Sequence, residues 1–211
     1  MTQILGSVAL WVVWVISNLG YLGTFICMAI EGACIPLPSE IILPFSGFLV
    51  STGRFNFWVA SFLGAFGNAF GSSIMYYIGK KGGRPFVDKY GKYFLISKSD
   101  VNHAQKWFSV WGKKTVFVSQ LLPVLRTYIS LPSGILKIGY LPFVIYTFMG
   151  AFVWSTFLVY LGMILGQNWK SIEIYFKKFD LVITIIIFTG LILVIYKKIM
   201  KFREIEAEQK S

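Results

Sequence analysis

Apolar residues run along this chain in long blocks, divided by a few charges and prolines and not by any polar alternation. Residues 4–30 carry no charge and are rich in aromatic side chains (Trp11, Trp14, Tyr21), so 1–30 is predicted to form a first span, with a soft spot at Ser17-Asn18-Leu19-Gly20. Residues 55–79 give 25 uncharged positions and a second span. Its small residues (Gly64, Gly67, Ala69, Gly71, Ser72, Ser73) predict close helix packing. Residues 138–169 carry no charge and predict a long span, tilted or interrupted near Pro142. Residues 181–196 predict a last span, and 197–211 a charged tail.

Two other apolar blocks are too short to cross a bilayer, which takes about 20 helical residues. Thirteen uncharged residues separate Glu40 from Arg54, and Arg126 divides a second block into pieces of eleven and ten. Pro36, Pro38 and Pro44 in the first, and Pro123 and Pro132 in the second, each lack a backbone donor and resist helix continuation. Irregular backbone at membrane depth must be shielded by protein or water. Residues 31–54 and 115–137 therefore predict re-entrant helical hairpins, a Pro-rich surface loop being the alternative for the first. The two resemble each other. IPLPSEIILPFSG places Pro36 eleven residues before Gly47, and LPVLRTYISLPSG places Pro123 eleven before Gly134, so an internal repeat with Gly47 and Gly134 at the hairpin exits is expected.

Charge orients these elements. Residues 80–114 hold nine Lys/Arg against two Asp, and residues 197–211 hold five against three Glu. Basic segments stay cytoplasmic, so the first hairpin dips in from outside and the second from inside, with both termini cytoplasmic. Opposed hairpins meeting near the midplane typify inverted-repeat transporters. Within 80–114, Gly82-Gly83-Arg84-Pro85 predicts a turn, and Ser97 with Asp100 a capping box. Val101, Ala104, Phe108 and Trp111 at helical spacing then predict an amphipathic helix in the membrane interface.

Composition agrees: 56% of residues are apolar, 14% are charged, and mean hydropathy is +0.68. A soluble domain has about 25% charged residues, so the chain reads as a single all-α integral membrane domain over 1–211, with about four spans, two opposed hairpins and one interfacial helix. The net charge of +11 points to anionic lipid headgroups as contacts. No soluble domain presents a basic face to nucleic acid. Cys27 and Cys34 read as free buried thiols.

The chemistry concentrates in ionisable residues inside apolar sequence, which are costly there and mark binding sites or pathways. These are Glu31, Glu40 and Arg126, with Gln120 a neutral polar neighbour. Arg126 stays charged and needs a carboxylate partner or an anion, and guanidinium suits phosphate. Carboxylates in an apolar site can exchange protons near physiological pH. The bland reading is a buried Glu–Arg pair that only ties the hairpins together. Membrane hydrolases generally set a base, usually His, beside a nucleophile. The sole histidine, His103, lies in the basic connection, and neither a metal-ligand cluster, a cofactor motif nor a channel filter is evident.

At these residues the chain resembles the DedA family, the bacterial branch of the superfamily with the VTT (SNARE-associated) domain. The resemblance runs through Glu31-Gly32-Ala33-Cys34-Ile35-Pro36-Leu37-Pro38-Ser39-Glu40, Gly47-Phe48-Leu49, Tyr76-Tyr77-Ile78-Gly79, and Trp111-Gly112-Lys113-Lys114 leading to Leu122-Pro123-Val124-Leu125-Arg126-Thr127. Where the family pattern has a first arginine, this chain has Gln120, one cation fewer. The resemblance implies a lipid translocase of the bacterial cytoplasmic membrane. Its implied substrate is undecaprenyl phosphate or, alternatively, phosphatidylethanolamine. Arg126 and Gln120 would then hold the headgroup, and Glu31 and Glu40 would couple to protons. A proton-coupled exporter of small cations and a non-transporting scaffold are the other classes, and homo-oligomerisation is left open.

Overall fold

The computed structural model of the chain describes residues 2–35, 37–90 and 98–166, all within one compact unit, Met1–Gln167. Pro36, Ser97, the last span (181–196) and the tail (197–211) lie outside the described residues. Among the described residues every regular element is helical.

The first apolar block makes two helices, α1 (Thr2–Leu19) and α2 (Tyr21–Gly32). Between them Gly20 has φ +62°, a left-handed conformation open to a residue without Cβ. The twelve residues of α2 extend about 18 Å, short of the roughly 30 Å of a bilayer core. Helix α3 (Ser39–Ser51) then folds back along α2. Tyr21, opening α2, stacks on Phe55 just past α3 at 4.1 Å between ring centroids. The Tyr21 hydroxyl accepts the Asn56 backbone N–H at 2.5 Å. The first hairpin thus begins at Tyr21 and not at Glu31, and its tip is the segment between α2 and α3.

Pro38 takes the N-cap position of α3 in extended conformation. Pro44 was expected to break the helix, and it does not: it sits buried inside α3, which continues to Ser51. A Cβ on Gly162 would strike the Pro44 carbonyl, so another helix packs directly on this stretch of α3.

Helix α4 (Phe57–Tyr90) takes in the block expected as the second span from Phe57 on and runs on through Gly82-Gly83-Arg84-Pro85. The expected turn is a kink, made where Gly83 leaves helical geometry (φ 59°, ψ −157°). After α5 (Lys98–Trp111), the second hairpin comprises α6 (Lys114–Gln120), α7 (Pro123–Tyr128) and α8 (Ser130–Ile135). Pro123 occupies the first turn of α7, where a missing N–H costs nothing, and Pro132 lies within the first turn of the six-residue α8. The hairpin's two ends lie together: Val116 of α6 and Phe143 share a buried cluster with Tyr76, whose hydroxyl donates to the Ile138 carbonyl. Helix α9 (Tyr140–Leu165) follows, with Pro142 in its first turn and no interruption.

Glycines set the packing of hairpins on long helices. A Cβ on Gly47 of α3 would strike the Val159 carbonyl of α9, as one on Gly162 would strike that of Pro44. A Cβ on Gly134 of α8 would strike the Tyr76 carbonyl of α4, and one on Gly79 that of Leu131. In both places a carbonyl and a glycine three residues apart on a hairpin arm meet a carbonyl and a glycine three apart on a long helix. The other arms match as well: Gly67 and Gly71 of α4 lie against Phe25 and Ala29 of α2, and Gly150 of α9 against Phe117 and Gln120 of α6.

The two long helices are apolar outside and polar inside. Trp58, Phe62, Phe66, Phe70, Ile74 and Tyr77 form an exposed stripe on α4, while Ser61, Asn68 and Ser72 are buried. On α9, Leu141, Ile145, Met149, Val153 and Phe157 are exposed and Thr147 and Ser155 buried. A water-soluble protein places these faces the other way round, and α9 is long and apolar enough to cross a membrane. Helix α5 packs on protein through the expected face: Val101 joins Cys34, Met75 and Leu131, and Phe108 lies on the Tyr76 cluster. Trp111, last in the helix, is exposed.

Candidate functional site

The hairpin tips meet. Past the end of α2, Cys34 (φ +61°) donates its thiol hydrogen to the Thr127 carbonyl of α7 at 2.7 Å. One residue earlier on α7, Arg126 reaches into the first hairpin. Its Nη2 lies 2.7 Å from Glu31 Oε1, with both side chains buried, and 3.4 Å from Glu40 Oε1. The same nitrogen donates to the Ser39 hydroxyl. Thus Glu31, Glu40 and Arg126, spread over almost a hundred positions of sequence, form one cluster.

Each member is placed by its element. Glu31 is in the last turn of α2, and Ser39 and Glu40 are in the first turn of α3, so both arms of one hairpin aim carboxylates at the tip. That first turn also sets the positive end of the helix dipole toward the tip, which favours an anion. Asn68 of α4 donates from Nδ2 to Glu31 Oε2 at 3.0 Å, so Glu31 is held from two sides. The Arg126 guanidinium lies 5.0 Å from the ring of Trp154 on α9, a cation–π distance. Glu40 differs from Glu31 in being 41% exposed, which gives the cluster one edge near the surface.

Formal charge shows what the cluster can do. With both carboxylates ionised it carries one net negative charge in a buried setting, and it is neutral once one proton is bound. Desolvating such a group costs several kcal/mol per ion unless it is well paired. Arg126 uses Nη2 for its contacts to Glu31, Ser39 and Glu40, while its buried Nε has no hydrogen-bond partner. The guanidinium therefore keeps an unused donor.

Gln120 is fully buried at the end of α6, and neither its Oε1 nor its Nε2 has a partner. Its side chain packs on Gly150 of α9 and takes no part in the ion pair. Gly47 and Gly134 lie on hairpin arms against α9 and α4, as described. Arg54 donates to the Ser17 carbonyl at 3.4 Å, and Lys137 (φ +52°) follows α8. Among the described residues no group of three or more His, Cys, Asp or Glu side chains gathers as metal ligands.

Ser39, Asn68 and Trp154 were not anticipated from sequence. Ser39 carried a signal, since the register matching Pro36 to Pro123 sets Ser39 opposite Arg126. Asn68 is the one amide in the middle of the apolar block 55–79, the other, Asn56, lying at its start. Trp154 had no distinguishing signal among many aromatic residues.

A buried carboxylate, a second one near the surface and a buried arginine at the junction of two hairpins, with apolar outer faces, define a membrane protein with a polar internal site. The chain matches the family model for the VTT domain over residues 37–164, more than half its length, and belongs to that family. It is 38% identical to undecaprenyl phosphate transporter A of Bacillus subtilis strain 168, over 82% of this chain and 83% of that one. It is 34% identical to the uncharacterized membrane protein YkoX of the same organism, over 88% and 82%. It is also 31% identical to an alkaline phosphatase-like protein of Lactococcus lactis subsp. lactis strain IL1403, over 89% and 91%. No solved structure matches the chain.

Proposed function

We propose that this protein moves a phosphate-bearing lipid, undecaprenyl phosphate first among candidates, across the bacterial cytoplasmic membrane, driven by protons. The observation that carries this is the buried contact of Arg126 with Glu31, made between the tips of two hairpins. In the membrane both hairpins are re-entrant, the first from outside and the second from the cytoplasm, related by inverted topology. The doubled carbonyl–glycine contacts of α3 with α9 and α8 with α4 support that relation. Both termini then lie in the cytoplasm, and the basic connection faces anionic lipid. The name of the Bacillus subtilis relative supports the choice of lipid.

The coupling follows from charge. While Glu31 and Glu40 are ionised they occupy Arg126 and repel a phosphate. Protonation from outside removes both effects, and Arg126 turns to the headgroup with its unused Nε donor. The tail stays in lipid along the apolar outer faces. Release inside, where protons are scarcer, restores the ion pair and resets the site.

The name of the Lactococcus lactis relative raises an enzymatic reading. The hydroxyl bonded to Arg126 is that of Ser39, which accepts from the guanidinium, and the sole histidine of the sequence is carried by α5. The arrangement suits binding better than hydrolysis.

The test is movement of a labelled polyprenyl phosphate between leaflets of liposomes containing the purified protein. Wild type should accelerate it and Arg126→Ala should abolish it. Movement of phosphatidylethanolamine alone would change the substrate, and no lipid movement by folded protein would overturn the proposal in favour of cation export.

A further inference from the structure

Buried polar atoms are rarely left without partners, and here several lie along one face of α9 that reaches Arg126 at Trp154. Gln120 and Thr147 are wholly inaccessible, yet both ends of the Gln120 amide and the Thr147 hydroxyl have no hydrogen-bond partner. The Trp154 indole N–H is buried and unpaired as well. They share one surface. Gln120 packs on Gly150, and Thr147 and Trp154 lie three residues before and four after it, on the same face of α9. Trp154 also lies under Arg126. A neutral wall thus continues the site from the guanidinium along α9.

Resting on the headgroup reading above, we propose that Gln120, Thr147 and Trp154 form a two-way hydrogen-bonding wall that selects a phosphate monoester in its singly charged, P–OH form. The amide N–H of Gln120 and the indole N–H only donate, which suits P–O⁻ oxygens. Oε1 of Gln120 only accepts, so it needs a hydrogen on the ligand, and Thr147 does either. A monoester with one proton offers both kinds of atom, whereas a simple phosphodiester offers acceptors alone. Charge favours the same form. With one arginine, and with Glu31 and Glu40 protonated, the site is neutral around a singly charged headgroup and negative around a doubly charged one. Phosphate monoesters lose their second proton at a pKa of about 6, so the singly protonated form selected here is plentiful on the acidic outer side.

The experiment measures inhibition of labelled polyprenyl phosphate movement in liposomes by two competitors with identical tails: phosphatidic acid, a monoester, and phosphatidylmethanol, a diester without a headgroup hydrogen donor. Against wild type, phosphatidic acid should compete about tenfold better, the discrimination of one well-placed hydrogen bond. In Gln120→Leu and in Thr147→Val the ratio should fall below about twofold. Both variants should unfold at the same temperature as wild type or higher, because each removes an unpaired buried polar group. Equal competition in wild type, or an unchanged ratio in both variants, would overturn the inference while leaving the headgroup proposal standing. Failure of wild type to move any polyprenyl phosphate would instead sink the proposal on which the inference rests.

Discussion

Arg126 and Glu31 come from different hairpins and meet at 2.7 Å, both buried, so the contact between the tips is an ion pair. Removing one partner leaves an uncompensated charge, which costs about 3–5 kcal/mol, while removing both costs far less. Arg126→Met should therefore destabilise the protein strongly in detergent unfolding, and adding Glu31→Gln should recover much of the loss. A double variant as unstable as the sum of the single ones would mean the pair is not the source of the effect.

The glycine contacts predict a second pattern. Gly47→Ala and Gly134→Ala place a Cβ against backbone on α9 and α4, where overpacking costs about 1–3 kcal/mol. Gly139→Ala meets only the Pro142 ring at 3.5 Å and should stay within about 0.5 kcal/mol of wild type. Thermal unfolding of the three variants compares them directly. Equal effects at all three positions would count against hairpin packing through bare backbone.

How far these features were legible in the chain differs from residue to residue. The hairpins were signalled by prolines in apolar blocks too short to span, and the meeting of Glu31, Glu40 and Arg126 by the cost of burying each alone. The incoming arm of the first hairpin was signalled only by the soft spot at Ser17-Asn18-Leu19-Gly20. Residues 4–30 hold neither charge nor proline, and Gly20 alone turns one expected span into α1 and α2. Pro44 misled because a local rule was applied without the packing of Gly162 over its carbonyl. Trp154 was illegible because its role comes from α9 passing Arg126, a tertiary contact without a sequence period of its own.

Cys34 reports on the tips. Its thiol is buried and bonded to the Thr127 carbonyl, so a membrane-permeant thiol reagent should label it slowly at rest. If substrate movement separates the tips, adding polyprenyl phosphate and a pH gradient should speed labelling of Cys34 in a Cys27→Ala background. Cys27, buried within α2, should remain slow in the converse variant, Cys34→Ala. Equal acceleration at both thiols would indicate general loosening.

The aromatic stripe on α4 predicts sensitivity to charge without sensitivity to size. Phe66 is 47% exposed, so Phe66→Ala should be well tolerated. Phe66→Lys brings a charge to the lipid face, which costs about 2.5–3.5 kcal/mol at mid-membrane. The yield of membrane-inserted protein distinguishes them. Equal yields would argue that this face does not meet lipid.

The central claim is that protons free Arg126 to carry a phosphate. Protonation of Glu31 and Glu40 favours loading, so movement should speed up as the loading side is acidified and slow as its pH rises. The most direct measurement follows labelled polyprenyl phosphate in liposomes of fixed protein orientation while the pH gradient is imposed in one direction and then reversed. Net movement should run from the acidic to the alkaline side and reverse with the gradient. Glu31→Gln with Glu40→Gln should move lipid without regard to the gradient, and Arg126→Ala should move none. Gradient-independent movement by wild type, or gradient-driven movement that survives Arg126→Ala, would contradict the claim.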